Sequence, residues 1–370
     1  MRERVTYIDL IKGVGIILVV IGHLPINTEL RRIIFSFHMP LFFFVSGLFH
    51  KQNNPKDFIL NKAKKLLIPY VFFFFLAEFF TLAFDYPRHI GFQTQSFFDI
   101  LNGQEYFTYN VPLWFLLCLF EVSILYFFIR KYFVENKTLQ TIVVLLFSIL
   151  GYGINKMSLN IPYFLDSAFS SLIFYHAGSW FYTEFKTKGD SLLKWPLDII
   201  TSNFSSENDV IPEKGLFNGW KRIIDNVKRR SSRVSDKHKA ILFNGISLFV
   251  LSAVFLYQAY YSGSLDVRAN SIPDSYLSYL TTSFTGILMI VFLCKMINSI
   301  SLIDYWGKNS LVIMSTHIPL FLIVNYLNDQ VFHVSGNSWM YEVIRFSLTF
   351  SFCTALIEIL NRYCPKLIGK

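Results

Sequence analysis

Charge is scarce in this chain. Only 16% of its 370 residues are Asp, Glu, Lys or Arg, while 53% are hydrophobic, and a water-soluble domain carries about a quarter charged residues. Cysteine is scarce too. The four thiols (Cys118, Cys294, Cys353, Cys364) lie within or at the ends of apolar runs, with no CxxC pair and no framework spacing. That excludes a disulfide scaffold and reads them as packing residues. No HExxH or Cys cluster supplies the third and fourth ligands of a zinc site, so no metal is expected. No internal repeat and no low-complexity tail stands out, and residues 1–370 read as a single domain.

What is abundant is aromatic and apolar: 41 Phe and 20 Tyr, more than a soluble core can bury. Apolar runs long enough for a bilayer fall at 8–24, 33–49, 66–84, 112–129, 139–155, 168–183, 241–260, 276–294, 309–327 and 341–361. They predict an all-α polytopic membrane bundle of about ten transmembrane helices. Arg2 and Arg4 precede the first run as in a signal peptide, but no small-residue cleavage site follows it.

With the N-terminus placed in the cytoplasm, the ends and loops on that side hold 27 Lys and Arg. The opposite loops hold five: Arg31, Arg32, Arg88, Lys156 and Arg268. This asymmetry predicts that both termini are cytoplasmic. The net charge of +9 is therefore a topology signal, and no nucleic-acid partner is needed to explain it. The main interruption is a basic cytoplasmic loop at 184–240. Within it, Leu216, Phe217, Trp220, Ile223, Ile224 and Val227 recur at helical spacing beside Lys221, Arg222, Lys228, Arg229 and Arg230. That pattern suits a helix lying on anionic membrane lipids, or one packed on the inner face of the bundle.

The first run, YIDLIKGVGIILVVIGH at 7–23, carries ionisable groups where each is costly, and such groups are functional suspects. Lys12 and His23 are 11 positions apart, which brings them onto one helical face about 16 Å apart along the axis. Asp9, one turn before Lys12, can pair with its ammonium. The alternative is a snorkelling lysine and an interfacial histidine. The next run, FSFHMPLFFFVSG at 35–47, starts where the first one ends, so His38 enters the membrane near the level of His23. Ser46 and Gly47 permit close helix approach.

IDLIKGVGIILVVIGH followed by FHMPLFFFVSG resembles the acyltransferase 3 family of integral membrane O-acyltransferases, and most nearly its fucose 4-O-acetylase-like sugar O-acetyltransferase branch. VPLWFL at 111–116 and WGKNSLVIMSTHIPL at 306–320 resemble later landmarks of that family. The resemblance implies that the family's essential basic residue is Lys12, where many members have Arg, and that its essential histidine is His23. His38 matches the histidine of the FHMP variant. No hydrolase-like domain is expected after the last run, and the 184–240 loop has no place in the family pattern.

The activity so implied is transfer of an acetyl or other short acyl group from cytoplasmic acetyl-CoA, or another acyl-CoA, to a hydroxyl of a cell-surface polysaccharide or its lipid-linked sugar precursor, at the bacterial plasma membrane. In this reading Lys12 binds the donor near the cytoplasmic mouth, His23 is the base, Asp9 orients Lys12, and His38 orients His23 or binds the acceptor sugar. His317 and Trp114 are substrate-binding candidates, Trp114 being equally suited to headgroup anchoring. Glu78, Glu121, His176, Arg345 and Glu358 either line an acceptor cavity or make helix-packing contacts. The competing function is a transporter or flippase for a polysaccharide precursor.

Overall fold

The computed structural model describes residues 6–84, 110–188, 245–273 and 275–370, apart from 135, 158, 160, 262, 264 and 335–338. The basic amphipathic segment at 215–230 lies outside the described residues. Twelve helices are described: α1 (Thr6–Gly22), α2 (Thr28–Phe35), α3 (His38–Leu48), α4 (Pro55–Phe84), α5 (Trp114–Tyr132), α6 (Lys137–Lys156), α7 (Leu165–Lys188), α8 (Gly245–Tyr261), α9 (Tyr276–Ile297), α10 (Ser301–Lys308), α11 (Ser310–Leu327) and α12 (Trp339–Tyr363). Among the described residues no strand forms beyond a single bridge between Asp266 and Ser271. The chain is an all-α bundle.

Among the described residues, six helical segments are long and apolar enough to cross a membrane: Pro55–Phe84, Val111–Tyr132, Lys137–Lys156, Tyr276–Ile297, Ser310–Phe332 and Trp339–Tyr363. Two of the other expected runs fall short for identifiable reasons. The α1 helix has 17 residues. The run at 33–49 is broken, because Pro40 has no N–H to offer the Ser36 carbonyl four residues back and its ring clashes with that carbonyl. The chain leaves helical geometry at Phe37 (φ −145°, ψ −18°) and restarts as an 11-residue α3. Ser283 of α9 donates its hydroxyl to the Ser36 carbonyl at 2.8 Å, satisfying what the proline leaves open.

All of α3 except Ser46 is buried. It crosses α7 with glycine on both sides: a Cβ on Gly47 would sit 2.1 Å from the Tyr175 carbonyl oxygen, and one on Gly178 would sit 1.9 Å from that of Phe44. The closeness that Ser46–Gly47 led us to expect is therefore real. The α1 helix crosses α10 in the same way, with Gly13 against the Ile303 carbonyl and Gly307 against that of Asp9. Backbones approach this closely only where side chains are absent.

Around these crossings lies an aromatic core that includes Phe43, Phe73, Trp114, Phe174 and Tyr279. Three of the four cysteines (Cys118, Cys294, Cys353) are buried in the same core, and all four thiols are free. The segment between α8 and α9 folds over the end of the bundle. Asn270, buried in a left-handed conformation (φ 46°), donates to the Gly151 carbonyl at 2.8 Å and accepts from the Ser170 hydroxyl at 2.7 Å. Its two polar ends thereby pin this cap to α6 and α7.

Candidate active site

The last turn of α1 ends at His23. Its Nδ1 lies 2.8 Å from the Val19 carbonyl oxygen, and a carbonyl can only accept, so Nδ1 carries the proton. In the neutral ring Nε2 is then a free lone pair. His23 opens onto a cavity of about 270 Å³ whose wall also includes His38, Trp114, Arg31, Asp266 and Arg268. Three of the expected site residues are thus brought to one place. Trp114 is 5% exposed, packed against Phe43 and Phe164. It forms part of the cavity wall.

His38 does not orient His23 through a hydrogen bond. Each ring is held by its own backbone: His38 Nδ1 donates to the Ile34 carbonyl at 2.9 Å, reaching back across the α2–α3 break. His317 donates from Nδ1 to the Ile313 carbonyl at 3.0 Å. Its ring lies edge to face against that of His23, centroids 5.0 Å apart, and its Nε2 is buried without a hydrogen-bond partner. His317 stands behind His23 rather than on the cavity wall. It makes ring contact with His23.

Comparison of these two sites exposes a repeat that the sequence reading did not find. Residues 34–41 and 313–320 share Ile-x-Ser-x-His-x-Pro-Leu. In both, the histidine donates to the isoleucine carbonyl and the proline strips a partner from the serine carbonyl. Asn110 fills the second vacancy, donating to the Ser315 carbonyl at 2.8 Å, as Ser283 fills the first. Two copies of one local device thus place two imidazoles near His23.

Lys12 and Asp9 sit at the other end of α1. Lys12 Nζ is 3.0 Å from Asp9 Oδ1 and 5.8 Å from the centroid of the Phe49 ring, and the ion pair read from the spacing forms. The 306–320 landmark flanks α1 along its length, Gly307 touching Asp9 at one end and His317 touching His23 at the other.

None of Glu78, Glu121, His176, Arg345 and Glu358 lines the cavity. Arg345 lies over the Phe321 ring, Glu358 accepts from the Tyr305 hydroxyl, and His176 contacts Tyr126 and Thr141. The residues that sequence reasoning missed are Arg31, Asp266 and Arg268. Arg31 and Arg268 had been read only as far-side charges, and Asp266 carried no signal. The cap that presents the last two is set by Asn270, by a hydrogen bond from Ser167 to the Arg268 carbonyl, and by Asp266 itself, whose carboxylate accepts from the Arg268 amide. Among the described residues no group of three or more His, Cys, Asp or Glu could hold a metal ion.

No curated protein and no solved structure matches the chain. A family model described as an acyltransferase domain matches residues 5–358, a stretch that holds the α1 ion pair, the three histidines and the cavity. The chain belongs to the acyltransferase 3 family of multi-pass membrane acyltransferases.

Proposed function

We propose that the protein transfers an acetyl or other short acyl group from cytoplasmic acyl-CoA to a hydroxyl of a cell-surface polysaccharide or its lipid-linked sugar precursor. The observation that carries this reading is the state of His23: backbone-oriented through Nδ1, with its Nε2 lone pair free, at the edge of a polar cavity. A thioester is already activated, so transfer chiefly needs a base for the acceptor hydroxyl. His23 takes that proton as the hydroxyl oxygen attacks the thioester carbonyl carbon. The C–S bond breaks, and the imidazolium returns the proton to the departing thiolate. Ester and free CoA thiol are the products.

The neighbouring residues have distinct parts in this scheme. His317, a neutral ring with an unused lone pair, lowers the cost of the transient charge on His23. Trp114 offers an aromatic face to a sugar ring, and His38 holds the acceptor from the opposite wall. Lys12, kept in place by Asp9, meets the polar pantetheine groups nearer the cytoplasm. The enzyme acts in a bacterial plasma membrane with both termini cytoplasmic, so that donor and acceptor approach from opposite faces.

The test is acyl transfer by the purified protein in lipid nanodiscs, using radiolabelled acetyl-CoA and an extract of envelope glycans. Label appearing on glycan, and its loss in His23→Ala, supports the reading. A protein that moves the precursor across the bilayer yet transfers no label is a transporter instead.

A further inference from the structure

The acyl-transfer step above gives no part to three charged side chains on the wall of the His23 cavity. Arg31 comes from α2, and Asp266 and Arg268 come from the cap between α8 and α9. Arg31 Nη2 donates to the Leu24 carbonyl at 2.9 Å, which engages one of the five N–H groups of a guanidinium. Among the described residues Arg31 forms no ion pair. Arg268 Nη2 lies 3.7 Å from Asp266 Oδ2, beyond hydrogen-bond distance. Among the described residues the Arg268 guanidinium donates no hydrogen bond. Two guanidiniums therefore share this wall with one carboxylate, and most of their donors are unspent.

The backbone behind these charges is fixed. Asn27 caps α2 by accepting from the Leu30 amide at 2.7 Å. The next residue along, Arg32, packs over the Tyr260 ring of α8, 5.3 Å from its centroid. On the cap, Asp266 Oδ1 accepts from the Arg268 and Ala269 amides at 3.0 and 3.4 Å, while Ser167 donates to the Arg268 carbonyl at 3.2 Å. A fixed backbone lowers the ordering cost when the guanidiniums meet a ligand.

The charge also bears on the chemistry of His23. Its imidazole becomes a cation while it holds the acceptor proton, and like charges nearby oppose that step. An anion bound by Arg31 and Arg268 removes the opposition, and guanidinium forks suit the oxygens of carboxylates and phosphates. The cavity, at about 270 Å³, is slightly smaller than the roughly 300 Å³ at which pockets for drug-sized ligands begin. It has room for one or two sugar residues, so the anion must belong to the acylated residue or to its neighbour. We propose that Arg31 and Arg268 select an acidic acceptor: the sugar presented to His23, or the one linked to it, carries an anionic group that these guanidiniums bind. This rests on the acyl-transfer reading of the preceding section. Asp266 sets the strength of the selection by holding part of the Arg268 charge.

The experiment uses the full chain in nanodiscs with radiolabelled acetyl-CoA. Envelope glycans, stripped of existing esters by mild alkali, are divided by anion exchange into neutral and acidic pools. Label should favour the acidic pool by about tenfold. Carbodiimide reduction of carboxylates to alcohols, or hydrofluoric acid cleavage of phosphate esters, then shows which anion is read, since only one treatment should remove the preference. Arg31→Gln and Arg268→Gln should each lower the acidic-to-neutral ratio about three- to tenfold, and Arg31→Lys should recover part of it. Asp266→Asn, which keeps an Oδ1 acceptor for the two amides, should raise the ratio. Arg32→Gln changes the charge of the same helix away from the cavity and should leave the ratio unchanged. Equal labelling of the two pools, or glutamine variants with the wild-type ratio, overturns the proposal while the acyl-transfer function stands. So does an equal fall in Arg32→Gln, which marks a general surface field. If the glutamine variants do not fold, Asp266→Asn carries the test, and an unchanged ratio there overturns the proposal. Label in neither pool removes the acyl-transfer function and this selection with it.

Discussion

Asn110 donates its side-chain amide to the carbonyl of Ser315, the group that Pro319 leaves without its helical partner. The bond joins the entry of α5 to α11 beside His317. Asn110→Ala leaves that buried carbonyl unsatisfied, and the expected loss is about 1 to 3 kcal/mol of stability, read as a lower thermal midpoint in detergent. Activity should fall with it, because Trp114 begins the helix that Asn110 ties down. An unchanged melting temperature would mean that water or lipid replaces the bond without penalty.

His23→Ala removes the proposed base, and turnover should drop by about 10² to 10⁴ while CoA binding persists. His317→Ala removes a neighbour of the base rather than the base. We expect a smaller fall in kcat, on the order of tenfold, with KM for the donor little changed. Near-normal transfer by His23→Ala would sink the mechanism wherever the acceptor binds.

Lys12→Ala takes from the buried Asp9 carboxylate the ammonium 3.0 Å away, and removing one partner of a buried ion pair is destabilising. Both a weaker KM for acyl-CoA and a lower thermal midpoint should follow. Lys12→Arg restores the pair and should keep a substantial part of the activity. The double variant Lys12→Ala with Asp9→Ala separates the two effects: stability should recover while donor affinity stays low.

Single cysteines placed at Lys64 and Ala269 in a background without the native thiols should label from opposite faces. Position 269 lies on the cap over the His23 cavity and should react with an impermeant maleimide in intact cells, whereas position 64 should react only after lysis. Labelling of position 64 from outside would reverse the orientation and with it the assignment of donor and acceptor faces.

Much of this architecture was legible in the sequence because bilayer burial writes itself as long apolar runs. The Asp9–Lys12 pair was readable too, since a three-residue spacing on a helix is a contact. What failed to show depended on tertiary partners. Pro40 announces a break, but nothing local says that Ser283, 247 residues away, fills the vacancy that makes the break affordable. The Ile-x-Ser-x-His-x-Pro-Leu repeat was present yet inconspicuous, with three of its eight positions free and its copies 279 positions apart. Arg31 sits in the short α2 helix and Asp266 and Arg268 in the segment between α8 and α9, where charged residues are ordinary; only the fold gives them a cavity to line.

The glycine crossing of α3 and α7 has a consequence for how the protein is made. Gly47 and Gly178 are separated by 131 positions, so at roughly 5 to 20 residues per second the ribosome finishes α3 about 7 to 26 s before the surface it will clasp exists. An 11-residue helix covers about 16 Å, half the hydrocarbon thickness of about 30 Å, and its ends have unmet backbone groups. During that interval α1, α2 and the emerging α4, α5 and α6 are its shelter, with Trp114 and Phe115 of α5 reaching Phe43. The newborn chain therefore holds its most buried helix in an incomplete setting, and a substitution at Gly47 or Gly178 should act first on yield in the membrane rather than on catalysis by the protein that arrives there.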